Sequence, residues 1–473
     1  MSGRVDFSRA LFRGLLGGLM VLVVLNGWAS LTTTNRMRVV EGTDAAQYDK
    51  LARGLEANRG FSSAGPPFEP TFYREPGYPL FLALAYRLSG DNQDVAAAAQ
   101  VVVLAVSAGL TAVLGARLFG PLAGLTAGAV LGFSPELATY ASTMLSETLF
   151  TFLLLATIVM AVRARESRRP IDLLLVGVGL GIAAFTRAFA LALVVPLALL
   201  LAFDGRPTRL LPVIRRAGLV VVGVALVLTP WVVRNWVAVG RPALTSRSGV
   251  VVIRRAPRAA EPLSAYAGWL QAAAWRVANP LSNSLVPMER FQWGPEPEEN
   301  ALWDFDVNEA VRYYNRYDPV CQAAPDWDAC ANDIGWAFFR KYPLQYIAQS
   351  VFELVKLNFA PFPSPAGSFH NVTLWFAVLS GVAFAVGRKL NRLHAVLLVA
   401  LGTYVVAAVT VDTQTRYILP MLPVYALFAT ALPAAVLDWL VRGARRMLGQ
   451  TEAVAASGAS SASSSRRYSR TVS

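Results

Sequence analysis

The sequence predicts an all-α polytopic membrane protein, with about ten transmembrane helices, surface amphipathic helices and a small extracytoplasmic domain. Three observations carry this expectation. Hydrophobic residues make up 55% of the 473 residues and charged residues only 15%, against roughly 25% charged in a soluble domain. With a mean hydropathy of +0.45, that balance excludes a disordered chain and an ordinary soluble enzyme. Apolar runs long enough to cross a bilayer recur along the chain, and Arg and Lys gather in the short loops between them. The net charge of +13 therefore reads as orienting charge rather than as a nucleic-acid surface. The sequence has no HExxH, CxxC or Gly-rich Lys-Ser/Thr loop, so zinc hydrolysis and P-loop ATP chemistry have no visible machinery.

The apolar stretches lie near 12–31, 93–116, 121–140, 145–163, 171–186, 188–204, 217–238, 372–387, 393–411 and 417–441. The first is too long for the core of a signal peptide, and no clear small-residue cleavage site follows it. The stretches 171–186 and 188–204 are each short and are divided by Arg187; they read as two spans or as one helical hairpin. If the N-terminus is cytoplasmic, the inside segments are 1–13, 117–120, 163–172, 204–216, 388–392 and the tail from 442. Their excess of basic over acidic residues fits that orientation and puts both termini in the cytoplasm, at the cytoplasmic membrane.

Four parts follow: an N-terminal transmembrane module, 1–238, with an outside loop at 32–92; an extracytoplasmic domain and juxtamembrane segment, 239–371; C-terminal transmembrane helices, 372–441; and a low-complexity cytoplasmic tail, 442–473, expected to be disordered. Inside the first loop, Thr43 to about Arg59 places Tyr48, Leu51, Ala52 and Leu55 on one helical face, which suits a helix lying on the membrane surface. A second amphipathic stretch covers 343–359 and runs into PFPSP. Cys321 and Cys330 both fall outside the membrane, where thiols oxidise, so a disulfide between them is expected.

Charged groups beside a span are costly and ask for a reason. Four places stand out, all at outer span ends. The acids of Glu41–Asp49 suit a carboxylate base at the membrane surface, or a helix start capped by Thr43 or Asp44. Arg74 and Glu75, in Tyr73-Arg-Glu-Pro-Gly-Tyr78-Pro, suit a grip on an anion, or an interfacial anchor before a Pro-started helix. Glu147, with Glu136 before it, suits a group that orients substrate or binds a cation, or a helix-start charge. Arg187, Arg234 and Arg416 each suit a phosphate through the planar guanidinium fork, or serve singly as snorkelling residues. Three arginines on one face would make an anion site.

The first span, the loop with D-x-x-x-Y and then R-E-P-G-Y-P resemble the GT-C class of membrane glycosyltransferases, and most of all the bacterial branch of lipid A aminoarabinose transferases and protein O-mannosyltransferase-like proteins. Further matches follow in order: ARLFG at 116–120, LSETLF at 145–150, TRAF at 186–189, PWVVRN at 230–235 and RYILPMLP at 416–423. The similarity runs to about residue 440. It implies a donor sugar carried on polyprenyl phosphate, a cell-envelope glycan, lipid or protein as acceptor, no nucleic acid, and inversion at the anomeric carbon.

Carried onto this sequence, the resemblance makes Asp44 the acid that activates the acceptor hydroxyl, with Asp49 competing for that role. Arg74, Arg187 and Arg416 become the donor-phosphate ligands, with Tyr417 and Arg234 beside them. Glu147 matches a second acid that organises the site and, in some members, a divalent metal. Tyr48, Tyr78, Arg254 and Arg255 stand as substrate or acceptor contacts. The aminoarabinose transferases have a Glu-Lys pair where this chain has Arg74 and Glu75 in reverse order, which leaves both roles open; Glu75 is counted with the catalytic candidates. The competing readings are a lipid-linked-sugar transporter and a non-catalytic prenyl-lipid binder. Against a transporter, no internal repeat is visible and the charges sit at the outer surface.

Overall fold

Apolar length sets the architecture. The computed structural model describes residues 9–33, 43–62, 67–203, 210–255, 263, 319–324, 326–359, 365–411 and 415–444. Among these, five helices are long and apolar enough to cross a membrane: Arg9–Thr32, Gln93–Phe119, Glu147–Ser167, Leu210–Val239 and Leu419–Ala444. Even the 21-residue member extends about 32 Å, the thickness of a hydrocarbon core. Five shorter apolar helices join them: Pro121–Gly132, Pro170–Thr186, Ala188–Ala202, Val372–Val386 and Arg392–Ala408. Together they occupy the stretches read from hydropathy, and the protein is an all-α polytopic membrane protein.

In chain order the helices are α1 (Arg9–Thr33), α2 (Asp44–Glu56), α3 (Gly77–Ser89), α4 (Gln93–Phe119), α5 (Pro121–Gly132), α6 (Pro135–Ser142), α7 (Glu147–Ser167), α8 (Pro170–Thr186), α9 (Val194–Ala202), α10 (Leu210–Val239), α11 (Ser248–Arg255), α12 (Trp327–Lys341), α13 (Pro343–Phe359), α14 (Pro365–Val386), α15 (Arg392–Val411) and α16 (422–444). Local chemistry sets their ends. Asn92 caps α4 by accepting from the Asp94 N–H at 2.8 Å. Pro121 and Pro170 open α5 and α8, where a missing N–H costs nothing. A buried core runs through α1, α4, α5, α7, α8 and α16, in which α4 pairs with α5 and α8 packs between α7 and α10.

Three expectations change. The stretch 121–140 is not one helix: α5 stops at Gly132, and Ser134 caps a new helix at Pro135. Pro135 cannot donate to the preceding turn, so the helix axis restarts there. The apolar face of α2 does not lie against lipid. It is covered by α3, with Tyr48 and Ala52 in one cluster with Tyr78, Leu82 and Tyr86. The last helix also runs on to residue 444, past the tail boundary expected at 442.

The joint at Arg187 is sharp. Its backbone is extended, with φ −151° and ψ 123°, between α8 and a 3-10 helix over Ala188–Leu193. Beyond α10, α11 packs on α12, where Asp328 accepts from the Gly249 N–H at 2.6 Å and the Ser248 hydroxyl at 2.8 Å. Cys321 and Cys330 are joined in a disulfide. The rest of the expected outside domain, 256–262 and 264–318, lies outside the described residues, as do Glu41, the segment 360–364 and the tail from 445.

Candidate active site

Five chain segments meet at one ionic cluster. Asp44 is the first residue of α2, placed there by Thr43, whose side chain caps the helix at Ala46 N. One carboxylate oxygen of Asp44 accepts from Arg74 Nη2, and the other accepts from Arg416 Nη2 at 2.6 Å. Arg416 Nη1 lies 3.4 Å from Glu147 Oε1, and Arg187 Nη2 donates to that same oxygen at 3.0 Å. The result is a row: Arg74, Asp44, Arg416, Glu147, Arg187. Three guanidinium groups face two carboxylates, leaving one positive charge in excess.

Burial differs along the row. The side chain of Arg74 is 2% exposed and that of Glu147 0%, whereas that of Asp44 is 21% exposed. Glu147 Oε2, Arg74 Nη1 and Arg187 Nη1 are buried without a hydrogen-bond partner. Removal from water pushes the Asp44 carboxyl up, but Arg74 and then Arg416 outweigh this and hold it down at about 2. Burial raises Glu75, against the pull of backbone N–H groups and of Arg187 and Arg74; Glu75 Oε1 accepts from the Ala188 N–H at 3.3 Å.

Aromatic rings hold the arginines. Arg74 lies over Tyr48, 4.9 Å from the ring centre, and over Tyr73 at 5.6 Å. Tyr417 sits beneath both Arg187, at 4.8 Å, and Arg416, at 5.6 Å. Behind it stand Phe189, 5.1 Å away, and then Tyr404. Tyr417 thus holds two cations at a fixed separation.

Arg74, Arg187 and Arg416 therefore converge, with Asp44 and Glu147 between them and Glu75 alongside. Other candidates do not join the row. Arg234 binds the carbonyls of Phe61 and Thr71, each at 2.7 Å, and so straps the loop before Tyr73. Asp49 faces away from the row: Tyr86 Oη donates to it at 2.6 Å, Gln93 at 3.2 Å and Arg53 at 2.8 Å. Tyr78 is buried, stacks edge-on against Tyr48 and donates to Gln100 at 3.3 Å. Tyr48 is buried with it as the floor under Arg74. The side chains of Arg254 and Arg255 lie outside what is described.

Two residues were not anticipated. Gln47 accepts from Arg74 Nε at 2.7 Å, one turn along α2 from Asp44. That i, i+3 spacing was readable in the sequence. Arg247 lies 5.4 Å over the other partner ring, Tyr73, in a segment where Thr245 and Ser246 bond the backbone at Tyr73 and Phe72. No local pattern announces it.

The backbone trace decides the fold. It superposes on the oligosaccharyltransferase AglB of the archaeon Archaeoglobus fulgidus, solved in complex with an inhibitory peptide and a dolichol-phosphate, with a TM-score of 0.52 and 11% identity over 93% of this chain. The fold is of the GT-C type. An oligosaccharyltransferase of the same archaeon in its apo form aligns with the same TM-score at 14% identity over 94% of this chain. In both cases the chain spans about half of that protein, 52% of its length. ArnT of Cupriavidus metallidurans bound to undecaprenyl phosphate gives 15% identity and a TM-score of 0.38, over 89% of this chain and 79% of that one. In sequence, residues 70–233 match the family described as dolichyl-phosphate-mannose-protein mannosyltransferase. That matched segment of sequence holds Arg74, Glu75, Glu147 and Arg187; Asp44 and Arg416 fall outside it. No curated protein sequence matches the chain.

The GT-C resemblance also raised a divalent metal. No group of three or more His, Cys, Asp or Glu able to hold an ion occurs among the described residues. Both oxygens of Asp44 and one of Glu147 face guanidinium groups, which would repel a cation. As arranged, this donor set does not fit a metal.

Proposed function

We propose that this protein is an inverting glycosyltransferase, moving a sugar from a polyprenyl-phosphate donor to a hydroxyl of a cell-envelope glycan, lipid or protein. The observation that carries the reading is the row of three arginines and two carboxylates on a GT-C fold. A prenyl chain stays in lipid, so its phosphate and sugar meet the protein at the boundary where apolar helices end. Arg187, Arg416 and Glu147 lie at such ends. The loop charges support an active site on the outer face of the cytoplasmic membrane, with both termini inside. The division at 238 and 371, with the span from Leu419 ending at Ala444, goes with this reading.

In the proposed step the acceptor oxygen attacks the anomeric carbon, and the bond from that carbon to the phosphate oxygen breaks. The electron pair leaves on polyprenyl phosphate, and the hydroxyl proton goes to the Asp44 carboxylate. Arg74, Arg187 and Arg416 neutralise the charge that grows on the leaving phosphate. Protonation of Asp44 removes a negative charge from the row as the phosphate gains one. Glu147 fixes the forks of Arg187 and Arg416, and Glu75 ties the Arg74 segment to Ala188.

The test uses purified protein in lipid with a panel of polyprenyl-phosphate sugars and candidate acceptors. Free polyprenyl phosphate should appear from one donor, and Asp44→Asn should slow its release by about a hundredfold or more, the scale of a lost general base. Unchanged release from Asp44→Asn removes Asp44 from the role.

A further inference from the structure

We infer that Asp44 is the resident anion of the donor-phosphate subsite: an entering lipid-linked phosphate takes Arg74 and Arg416 away from it and so releases the carboxylate to act. This rests on the function proposed above and adds an internal regulation to it. Both Asp44 oxygens are occupied by the guanidinium groups that the phosphate requires. A carboxylate held in this way, at about 2, is a poor proton acceptor. Phosphate and Asp44 compete for the same planar donors, and a phosphate oxygen makes an equally strong charge-assisted bond.

The geometry says which anion gives way. Glu147 is wholly buried and shared by two arginines, so it stays. Asp44 is the most exposed member of the row and sits at the N-terminus of α2, where the helix dipole tolerates a carboxylate that has lost its cation. Neither arginine loses its anchor when Asp44 leaves. Arg74 keeps Gln47 at Nε and the ring of Tyr48; Arg416 keeps Glu147 and the ring of Tyr417. Arg74 and Arg187 each also have a buried Nη1 with no hydrogen-bond partner, ready for an incoming oxygen. The base is thus masked until the donor arrives.

The test measures binding of undecaprenyl phosphate to the full-length protein in lipid nanodiscs, for wild type, Asp44→Asn, Asp44→Ser and Arg74→Ala. Removing the competitor should tighten binding in both Asp44 variants by roughly tenfold or more, since the two charge-assisted hydrogen bonds to Arg74 and Arg416 no longer have to be broken. Arg74→Ala should weaken it. In wild type, difference infrared spectra should show a carboxylate band that shifts when undecaprenyl phosphate is added and is absent from Asp44→Asn. Unchanged or weaker binding in the Asp44 variants, with Arg74→Ala still weakened and no shifting band, overturns the inference and leaves the proposed function standing. No binding by wild type overturns both.

Discussion

Asp44 takes its partners from 30 and 372 residues away, and this sets its acid–base behaviour. Its folded value of about 2 lies below the ordinary 3.8, so the folded state binds its proton less readily than the unfolded chain does. That stabilisation is complete above about pH 4 and disappears as the pH falls through 2. The difference is worth roughly 2 kcal/mol. Thermal unfolding in nanodiscs should show wild type losing stability over that window and Asp44→Asn losing less; parallel curves would mean that the ion pairs are not holding the carboxyl down. Composition and local pattern made each member of the row visible alone, because a charge at a span end is conspicuous. Their meeting was not legible, since nothing near Asp44 points to Arg416. Arg234 was read from the same kind of signal, yet it serves the loop at Phe61 and Thr71, because a snorkelling arginine and a ligand look alike in sequence.

At the scale of the element, helix ends do the positioning. Four of the five members of the row sit at or beside one: Asp44 opens α2, Glu147 opens α7, Arg187 ends α8 and Arg416 precedes α16. Arg74 depends on α3, and α3 depends on Gly77. A Cβ at that glycine would lie 2.8 Å from the Phe185 carbonyl and from Thr186 Oγ1. The start of α3 would have to back away from the end of α8, carrying Arg74 and Glu75 with it and breaking the bond from the Ala188 N–H to Glu75. Gly77→Ala should therefore cost roughly 1–3 kcal/mol, the usual range for overpacking, and lower turnover more than Gly218→Ala, where a Cβ meets open space. Equal turnover in the two variants would show that this contact is not what places Arg74. The spans themselves were legible because hydrophobicity alone determines them. The covering of α2 by α3 was not: an apolar stripe looks the same whether lipid or protein lies against it.

For the whole molecule, the row of charges closes one end of the helical assembly while basic loops mark the other. A reporter that folds only in the cytoplasm, fused after Ser473, should be active, and one inserted in the 263–318 segment should be silent; the reverse pattern would put the row on the cytoplasmic face and end the envelope-acceptor reading. The expected orientation rests on loop composition and not on contacts, so it is this fusion experiment that tests it.

The distance in sequence between Asp44 and Arg416 also constrains how the protein is made. The ribosome delivers α2, α7 and the Arg187 joint long before it delivers residue 416. Until then Asp44 has Arg74 and Glu147 has Arg187, but nothing joins the two pairs. Residue 416 brings the cation that links them, and Tyr417 comes with it to lie beneath both arginines. The row of charges is therefore joined only after residue 416 has been made. A nascent chain that ends short of residue 416 holds two separate ion pairs, Asp44 with Arg74 and Glu147 with Arg187.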